Sequence, residues 1–238
     1  MKLGEIKTEA MLLMFPDINL TCAVEKWEQE ADGTSAKGTS SENTDISESD
    51  YENEMSELLF ALSSDPNYLP YINGMAGAIN RCFSYLESHF LIPPRKAELK
   101  DGKVTGDKIL FDLPDDAFCV GRVTFSGDGV YIGNVGFEYV GVKTVAVSKM
   151  RGEGTHTVIY TPYLERIKRT TSDFYEIPLP DTTASMIPYF IKGDLFANDD
   201  DAEAAQAREI FENCISVFAN YGGYSDTVEE TYSMGNLQ

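Results

Sequence analysis

The spacing of apolar residues changes twice along this chain, and that change limits the possible fold more than any other feature of the sequence. Near both ends, apolar residues recur every three or four positions, which is typical of helices that pack on one face. Between residues 95 and 176 they form short runs rich in β-branched and aromatic residues, separated by Gly, Asp and Pro. The sequence therefore predicts an α+β fold, in which a helical bundle from both chain ends carries an inserted antiparallel β-sandwich or barrel.

The same pattern predicts where the parts of the chain begin and end. Residues 1–94 form the N-terminal part of a helical domain, which ends at a Pro-Pro pair and includes an acidic loop at 31–50. Residues 95–176 form the β-domain, and residues 177–220 form a helical hairpin that completes the helical domain. Residues 221–238 form a C-terminal tail.

Helical stripes are predicted in four regions of the chain, and turn residues separate them. Asp181 is expected to cap the first C-terminal helix, and the acids at 199–201 are expected at the positive end of the second. The apolar stripes are Leu3, Ile6, Ala10, Leu13 and Met14; Met55, Leu58, Leu59 and Leu62; Met75, Ile79, Cys82, Phe83 and Leu86; and, in the hairpin, Met186, Ile187, Phe190, Ile191 and Leu195, followed by Ala207, Ile210, Phe211, Cys214, Val217 and Phe218.

About five strands are predicted in the β-domain, with a further strand possible at residues 174–179. Asp101-Gly102 and Asp128-Gly129 are typical of hairpin turns. The predicted strands are residues 108–112, 117–125, 130–140, 144–148 and 155–160.

The net charge of the chain disfavours a nucleic-acid-binding function. The chain has 39 acidic and 19 basic residues, a formal net charge of −20, whereas a nucleic-acid binder needs basic residues to neutralise phosphates. The small basic clusters at 95–96 and 166–169 are expected to pair with nearby acids. Residues 28–57 hold ten acids and one base, Lys37. We expect the acidic loop within this stretch to become ordered only against a neighbouring subunit.

No motif of enzymatic chemistry stands out. The sequence has no phosphate-binding loop, no zinc helix and no nucleophile elbow. His89 is expected at a helix end, and His156 is expected on a strand surface or in a cross-strand pair. Asp115-Asp116 and the acids at 199–201 are interpreted as a turn and a helix cap. The four cysteines are expected to be free thiols, three of them buried. We therefore expect no enzyme activity, no cofactor and no metal, and the sequence predicts neither a signal peptide nor a membrane span.

Three patches of the sequence, in order, carry a resemblance to a known family. The first is MKLGEIK at residues 1–7 with the helix that continues to residue 15. The second comprises YINGM at 71–75, AINRC at 78–82 and LE at 86–87. The third is IPLPDTTASMIPYFIKGDLFANDDDAEAAQAREIFENCI, which begins at residue 177. Together they resemble the helices of head–tail connector (adaptor) proteins of tailed phages, the group that includes the tubular-A proteins.

The resemblance implies a structural protein of the virion. Such a protein forms a ring of twelve copies in the neck, between the capsid portal and the tail, after synthesis in the host cytoplasm. Its partners are the portal protein, a tail or second adaptor protein and further copies of itself, and DNA passes through the channel without specific binding. The weakly apolar tail is expected to dock on a partner on assembly. Its candidate interface residues are Tyr221, Tyr224, Tyr232, Met234 and Leu237.

Two other functions stay open at this point. The first is a ligand-binding β-sandwich for carbohydrate or peptide, with helices as an addition; Tyr131, Phe137 and Tyr139 alternate with small and polar residues in a way that suits an aromatic binding face. The second is a hydrolase that uses paired carboxylates, although no constellation of catalytic residues surrounds them.

Overall fold

The chain folds into two compact units. The computed structural model describes residues 1–18, 57–127, 130–149 and 154–220. The described residues of Met1–Tyr85 and Arg166–Val217 form a helical unit. Those of Leu86–Glu165 and Phe218–Gln238 form a second unit, the β-unit. The acidic loop 31–50 and the C-terminal tail 221–238 lie outside the described residues, so the predictions about them stay predictions.

Five helices have both ends within the described residues, and residues 57–64 are also helical. The helices are α1 (Leu3–Met14), α2 (Leu69–Ser88), α3 (Asp181–Ala184), α4 (Ile187–Leu195) and α5 (Asp201–Asn220).

Helix α1 is fixed by the segment that precedes α3. The backbone N–H of Leu3 donates to the carbonyl of Tyr175 at 2.9 Å, and that of Gly4 donates to the carbonyl of Asp173 at 2.8 Å. These bonds satisfy N–H groups that a helix start leaves without an intrahelical partner. The Lys7 ammonium also lies 2.6 Å from the Asp173 carboxylate. The buried face of α1 packs against α4 and consists of Leu3, Gly4, Ile6, Ala10, Met11 and Met14.

Helix α2 carries the stripe that the sequence predicts, because all five of its predicted core residues are buried. A Cβ at Gly74 would lie 2.9 Å from Cδ2 of Leu195, so the missing side chain permits a close approach to α4. Arg81 makes a two-pronged ion pair with Asp194, with Nε 3.1 Å from Oδ1. Helix α2 and helix α4 are therefore held by packing and by charge.

The side chain of Asn80 ties the returning chain to α2. Its amide nitrogen donates to the carbonyl of Ile167, and its oxygen accepts from the N–H of Ile167, both at 2.8 Å. Both backbone groups of one residue are thus satisfied by one side chain. The chain that leaves the β-unit is fixed at this point.

The C-terminal region differs from its prediction in three ways. Three helices replace the predicted two, because the chain turns between Ala184 and Ile187. Pro180 occupies the N-cap position of α3 without a side-chain cap, and Asp181 is the first helical residue. In α5, Val217 is 55% exposed, and the core positions are Ala204, Ala207, Phe211 and Ile215.

The acidic turn before α5 behaves as predicted. The Asp200 carboxylate accepts a hydrogen bond from the N–H of Glu203 at 3.0 Å, which is the N-cap arrangement. Asp201 and Glu203 lie in the first turn, where the helix dipole favours acids.

Within the described residues, eight strands form two antiparallel sheets, so the prediction of a mixed fold with helices and antiparallel sheet is confirmed. The sheet orders are β1-β8-β4-β5 and β2-β3-β7-β6. The strands are β1 (Arg95–Leu99), β2 (Lys103–Thr105), β3 (Lys108–Asp112), β4 (Ala117–Gly127), β5 (Val130–Val135), β6 (Phe137–Gly141), β7 (Thr144–Ser148) and β8 (Gly154–Pro162).

The strand predictions are right for β3, β4, β7 and β8 and incomplete elsewhere. The run 130–140 is two strands, β5 and β6, which belong to different sheets. Strands β1 and β2 were not predicted, because they lie at sheet edges and carry charged or exposed side chains. Residues 174–179 form no strand; one isolated bridge joins Glu176 to Lys2.

One of the two predicted hairpins exists. Strands β4 and β5 pair with Gly127 opposite Val130, although Asp128 and Gly129 lie outside the described residues. Asp101-Gly102 instead carries the chain from β1 in one sheet to β2 in the other.

One apolar cluster takes side chains from both sheets. Ala97, Ile109 and Phe137 pack against its rim. Its buried members are Leu99, Phe111, Leu113, Ala117, Val120, Val123, Phe125, Val135, Val145, Val147, Val158 and Tyr160.

The hairpin stripe predicts the effect of truncating Phe211. This ring is 2% exposed and lies 5.4 Å from the Tyr85 ring and 5.2 Å from the Phe190 ring, centroid to centroid. We expect Phe211→Ala to lower the free energy of unfolding by about 3–5 kcal/mol, because it removes a buried ring and leaves a cavity.

Urea unfolding of the full chain measures this change, with the exposed Val217→Ala on the same helix as the matched control. The control is expected to change stability by about 0.5 kcal/mol or less. Equal effects of the two substitutions would contradict the assigned packing.

An aromatic cluster joins the end of α1 to the start of α2. The Phe15 ring lies 4.9 Å from both Tyr68 and Tyr71 and 5.6 Å from Phe196. The Tyr71 hydroxyl donates to the Asp199 carboxylate at 2.7 Å. Burial, followed by the hydrogen bond and negative charge of Asp199, raises the pKa of Tyr71 to about 12.

This pKa gives a pH dependence with a definite sign. The folded pKa of Tyr71 lies above the ordinary value of 10.0, so the stabilisation is complete below pH 10 and is lost as the pH rises towards 12. We expect Tyr71→Phe to flatten the fall in unfolding free energy over that window.

The measurement is urea unfolding of wild type and Tyr71→Phe at several pH values across the window. Tyr68→Phe, which removes a hydroxyl from the same cluster, is the control. If wild type and Tyr71→Phe lose stability in parallel, Tyr71 does not hold its proton in the folded state.

Candidate functional site

The candidate interface residues in the tail cannot be placed in the fold. Tyr221, Tyr224, Tyr232, Met234 and Leu237 lie outside the described residues. The site is therefore built from surfaces and cavities of the two described units.

The turn between β6 and β7 presents apolar side chains to solvent. Val142 is 96% exposed, and Val140 and Tyr139 are also exposed. Strand β6 is an edge strand of its sheet, and edge strands usually carry charges that prevent association. We call Val140 and Val142 the β6–β7 tip. Sequence reasoning missed it, although two valines beside Gly141 in a turn are an available signal.

The paired acids in the β-unit stabilise a turn. The Asp116 carboxylate accepts hydrogen bonds from Arg95 at 2.6 Å and from the Tyr160 hydroxyl at 3.0 Å. The Lys143 ammonium lies 4.0 Å from the Asp115 carboxylate. In the part of the chain that is described, no group of three His, Cys, Asp or Glu residues is arranged to hold a metal ion.

The two basic clusters lie in different units of the chain. Arg95 is paired with Asp116, as predicted for a charge beside a turn. Arg166, Lys168 and Arg169 are exposed around the buried Ile167.

His156 occupies a position that the sequence analysis predicted only in part. It lies in β8 with Leu99 of β1 opposite on one side and Phe125 of β4 on the other, so the cross-strand role is confirmed. The surface role is wrong, because the side chain is only 6% exposed. Its position, two and four residues before the core residues Val158 and Tyr160, is the alternation signal that should have shown an inward direction.

The environment of His156 is apolar and aromatic. The centroid of its ring lies 5.1 Å from that of Phe111 and 4.8 Å from that of Phe125. Burial lowers the pKa of the imidazole, so the ring is neutral at neutral pH. Nε2 is buried and has no hydrogen-bond partner in the described part of the chain.

The described cysteine thiols and His89 show no arrangement that would activate them. Burial, with a smaller contribution from Asp194, raises the pKa of the Cys82 thiol far above its usual range, which disfavours the thiolate. Cys119 and Cys214 are free and half-buried, so the expectation of three buried cysteines is wrong. His89 is exposed directly after the end of α2 and lies 3.1 Å from the Ser88 hydroxyl through Nδ1.

Two of the three aromatic residues considered for carbohydrate or peptide binding make contacts within the β-unit, although Tyr139 also remains 49% exposed. The Tyr139 hydroxyl accepts a hydrogen bond from the N–H of Val120 at 2.8 Å, and Phe137 packs against the core of the β-unit. The side chain of Tyr131 lies outside the described part.

No helix within the described ranges has the length and apolar character that a membrane span requires. No protein-family model matches this chain, and no curated protein matches it.

Proposed function

We propose that this protein is a subunit of a phage head–tail connector, an adaptor without enzyme activity. It forms a ring of twelve copies between the portal and the tail and lines the channel through which DNA leaves the head. In this account its location is the neck of the virion.

One observation carries the proposal: the three patches that resemble the connector family contact one another, and all of their residues except Leu86 and Glu87 belong to the helical unit. The first patch forms α1, the second lies in α2, and the third forms α3 to α5. Helix α1 packs against α4, and α2 contacts α4 through Gly74 and the Arg81–Asp194 pair. Residues that resemble a family only by sequence are under no constraint to contact one another. Their contact supports a shared structural core.

The finer architecture is part of the same proposal. The helices from both chain ends form a bundle, which packs against itself and its neighbours in the ring. The two sheets form a sandwich around their common apolar cluster, and this β-domain extends towards the next tail component. The hydrophobic cluster with side chains from both sheets supports the sandwich.

The β6–β7 tip is the part of the β-unit best suited to that contact. An exposed valine at an edge strand gains stabilisation only when a partner covers it. The C-terminal tail, with its tyrosines, is proposed as a second contact.

The charge of the chain suits a conduit. At −20 per subunit, a ring repels phosphate and gains nothing from the release of counterions. DNA that must leave the head then meets a wall to which it does not adhere.

A ligand-binding module is the second candidate, and one observation favours it: a cavity of about 340 Å³ in the β-unit, lined by residues of both sheets. The residues first considered for it, Phe137 and Tyr139, take part in packing and hydrogen bonding instead. A hydrolase has less support, since Asp116 is engaged by Arg95 and Tyr160.

The proposal predicts that the protein binds two partners and that the surface for the tail protein can be altered without affecting portal binding. Purified protein is expected to bind the portal protein and the adjacent tail protein of the same phage. Val142→Asp is expected to weaken tail binding at least about tenfold, because burying an unpaired carboxylate is costly, and to leave portal binding and stability unchanged.

Pull-down with the two purified partners measures this, with Val104→Asp as the control at an exposed valine in another strand. Wild-type protein that binds neither partner would contradict the connector proposal. Loss of tail binding in both variants would contradict the assignment of the surface.

The charge predicts that the protein does not bind double-stranded DNA at physiological salt and that acidic residues line the channel of the ring. A gel-shift assay at low and moderate salt measures the first point, and the residues lining the ring in a structure of the assembly measure the second. Micromolar DNA binding, or a channel lined mainly by Lys and Arg, would show that the wall is not repulsive. Acids confined to the outer surface would indicate that they serve only solubility.

A further inference from the structure

The sheet that contains β2, β3, β7 and β6 ends in two short strands with no further strand beside them within the described residues. Strand β2 lies at one edge and β6 at the other. Every residue of β2 is exposed, and so is every residue of β6 after Phe137. The outward backbone groups of an edge strand are available to pair with a strand of another chain.

The register of this sheet places opposite charges at the two ends of one row. The successive partners across the four strands are Lys103, Leu110, Ala146 and Glu138. Lys103 of β2 and Glu138 of β6 therefore lie on the same face of the sheet, at opposite edges. Each is the only charged residue of its strand.

Both charges have room for a further contact. Lys103 is exposed and has no ion pair within the described residues. Glu138 contacts Lys108 of its own chain, but its side chain remains 57% exposed. A carboxylate accepts more than one hydrogen bond, so Glu138 can bind a second ammonium group.

The next row brings apolar side chains to the same two edges. It lies on the core face of the sheet and comprises Val104, Ile109, Val147 and Phe137. Val104 of β2 is nevertheless 59% exposed, because it lies at the edge. A strand added beside β2 would bury it, and burial of apolar area is stabilising.

The strand directions allow the sheet to continue into a second copy. All neighbours in the sheet are antiparallel, so β2 and β6, at the two ends of four strands, run in opposite directions. The β2 strand of a similarly oriented copy is then antiparallel to β6. In the unshifted register, Lys103 of the neighbouring copy lies opposite Glu138, and Val104 of the neighbouring copy lies opposite Phe137.

Pairing of two like edges is disfavoured. Two β6 strands offer Glu138 no lysine, and two β2 strands offer Lys103 no carboxylate. Since each copy has a net charge of −20, a contact without a local charge match is opposed by repulsion. Contact between two different edges leaves one edge free on each outer copy, so it propagates and closes into a ring where the rotation between copies permits.

We propose that β6 of one copy pairs antiparallel with β2 of the next, so that the sheets of neighbouring copies are continuous. Glu138 then contacts Lys103 of the neighbouring copy, and Phe137 covers its Val104. This contact rests on the proposed ring and supplies the part of the interface between subunits that belongs to the β-unit. The β6–β7 tip stays available for the tail component.

Disulfide cross-linking tests the pairing and its register. Within one chain, positions 103 and 138 are about 14 Å apart across the sheet, so Lys103→Cys/Glu138→Cys can form this disulfide only between copies. Directly opposite residues of antiparallel strands have Cα atoms about 4.5–5.5 Å apart, a distance that a disulfide spans. We expect oxidation of the full-length double variant, free at high concentration and bound to the portal, to give a ladder of linked multimers.

Thr105→Cys/Glu138→Cys is the matched control for the register. Thr105 lies on the same face as Lys103 but about 7 Å further along the strand. This variant and the single variants Lys103→Cys and Glu138→Cys are expected to give no more multimers than oxidised wild type, which reports the native thiols. Dimers of a single variant in the yield of the double variant would show that like edges pair and would overturn the proposal.

Surface substitutions separate this contact from tail binding. Lys103→Glu is expected to raise the concentration needed for half-maximal association at least about fivefold, because attraction becomes repulsion. Lys96→Glu makes the same charge change in β1, an edge strand of the other sheet, and is expected to associate as wild type does. Val104→Asp is expected to weaken association and to leave tail binding by each subunit unchanged, whereas Val142→Asp is expected to do the reverse.

Association is measured by sedimentation of the free protein, or by ring formation on the portal where the free protein is monomeric. A ring on the portal without cross-links in the double variant overturns the edge pairing and leaves the connector proposal standing. A ladder without portal binding supports the edge pairing and contradicts the connector proposal. Absence of both ring and ladder, or equal weakening by Lys103→Glu and Lys96→Glu, also overturns the edge pairing.

Discussion

The arrangement of the helical unit depends most on the hydrogen bonds that the Lys192 ammonium makes to two other helices. From α4 the ammonium donates to the carbonyl of Leu13 in α1 at 2.7 Å and to the Glu203 carboxylate in α5 at 2.6 Å. The Phe196 ring lies 5.7 Å from it. Leu13 belongs to the last turn of α1, whose carbonyls lack intrahelical partners, so one charge satisfies a helix end and joins three helices. Hydrogen bonds to charged groups typically contribute about 1.5–3 kcal/mol each.

This constraint explains why segments so far apart in sequence share one unit. Each helix has a single apolar stripe, and a short amphipathic helix is marginal until another element covers that stripe. Helix α1 uses α4 for this purpose, and α2 approaches α4 where Gly74 meets Leu195. The β-strands lie in the intervening chain, and the Asn80–Ile167 pair fixes the point where the chain returns.

Sequence reasoning succeeded where a single physical signal dominated. The stripe of α2 is entirely buried because five apolar residues at helical spacing leave only one face to cover. It failed where tertiary structure overrode a local signal. Asp101-Gly102 has the composition of a hairpin turn, yet it connects two sheets, because β1 pairs with β8. Strand β1 was invisible because an edge strand can keep charged side chains.

The candidate site was harder to predict than the fold. His156 was expected on a strand surface or in a cross-strand pair, while its alternation with Val158 and Tyr160 indicated the core. The exposure of the β6–β7 tip depends on the direction of the β6–β7 hairpin at the edge of its sheet, and amino-acid composition does not determine that direction. The contacts of Asp116 likewise join residues from three strand ends or turns, and no local pattern links them.

The central claim is that the chain acts by forming a ring between two other assemblies. Negative-stain images of the protein co-expressed with the portal protein of the same phage test it most directly. The account predicts class averages in which twelve copies form a closed ring on the axis of the portal, with an open channel. Single copies bound at scattered positions, or a protein that remains monomeric beside an intact portal, would contradict it.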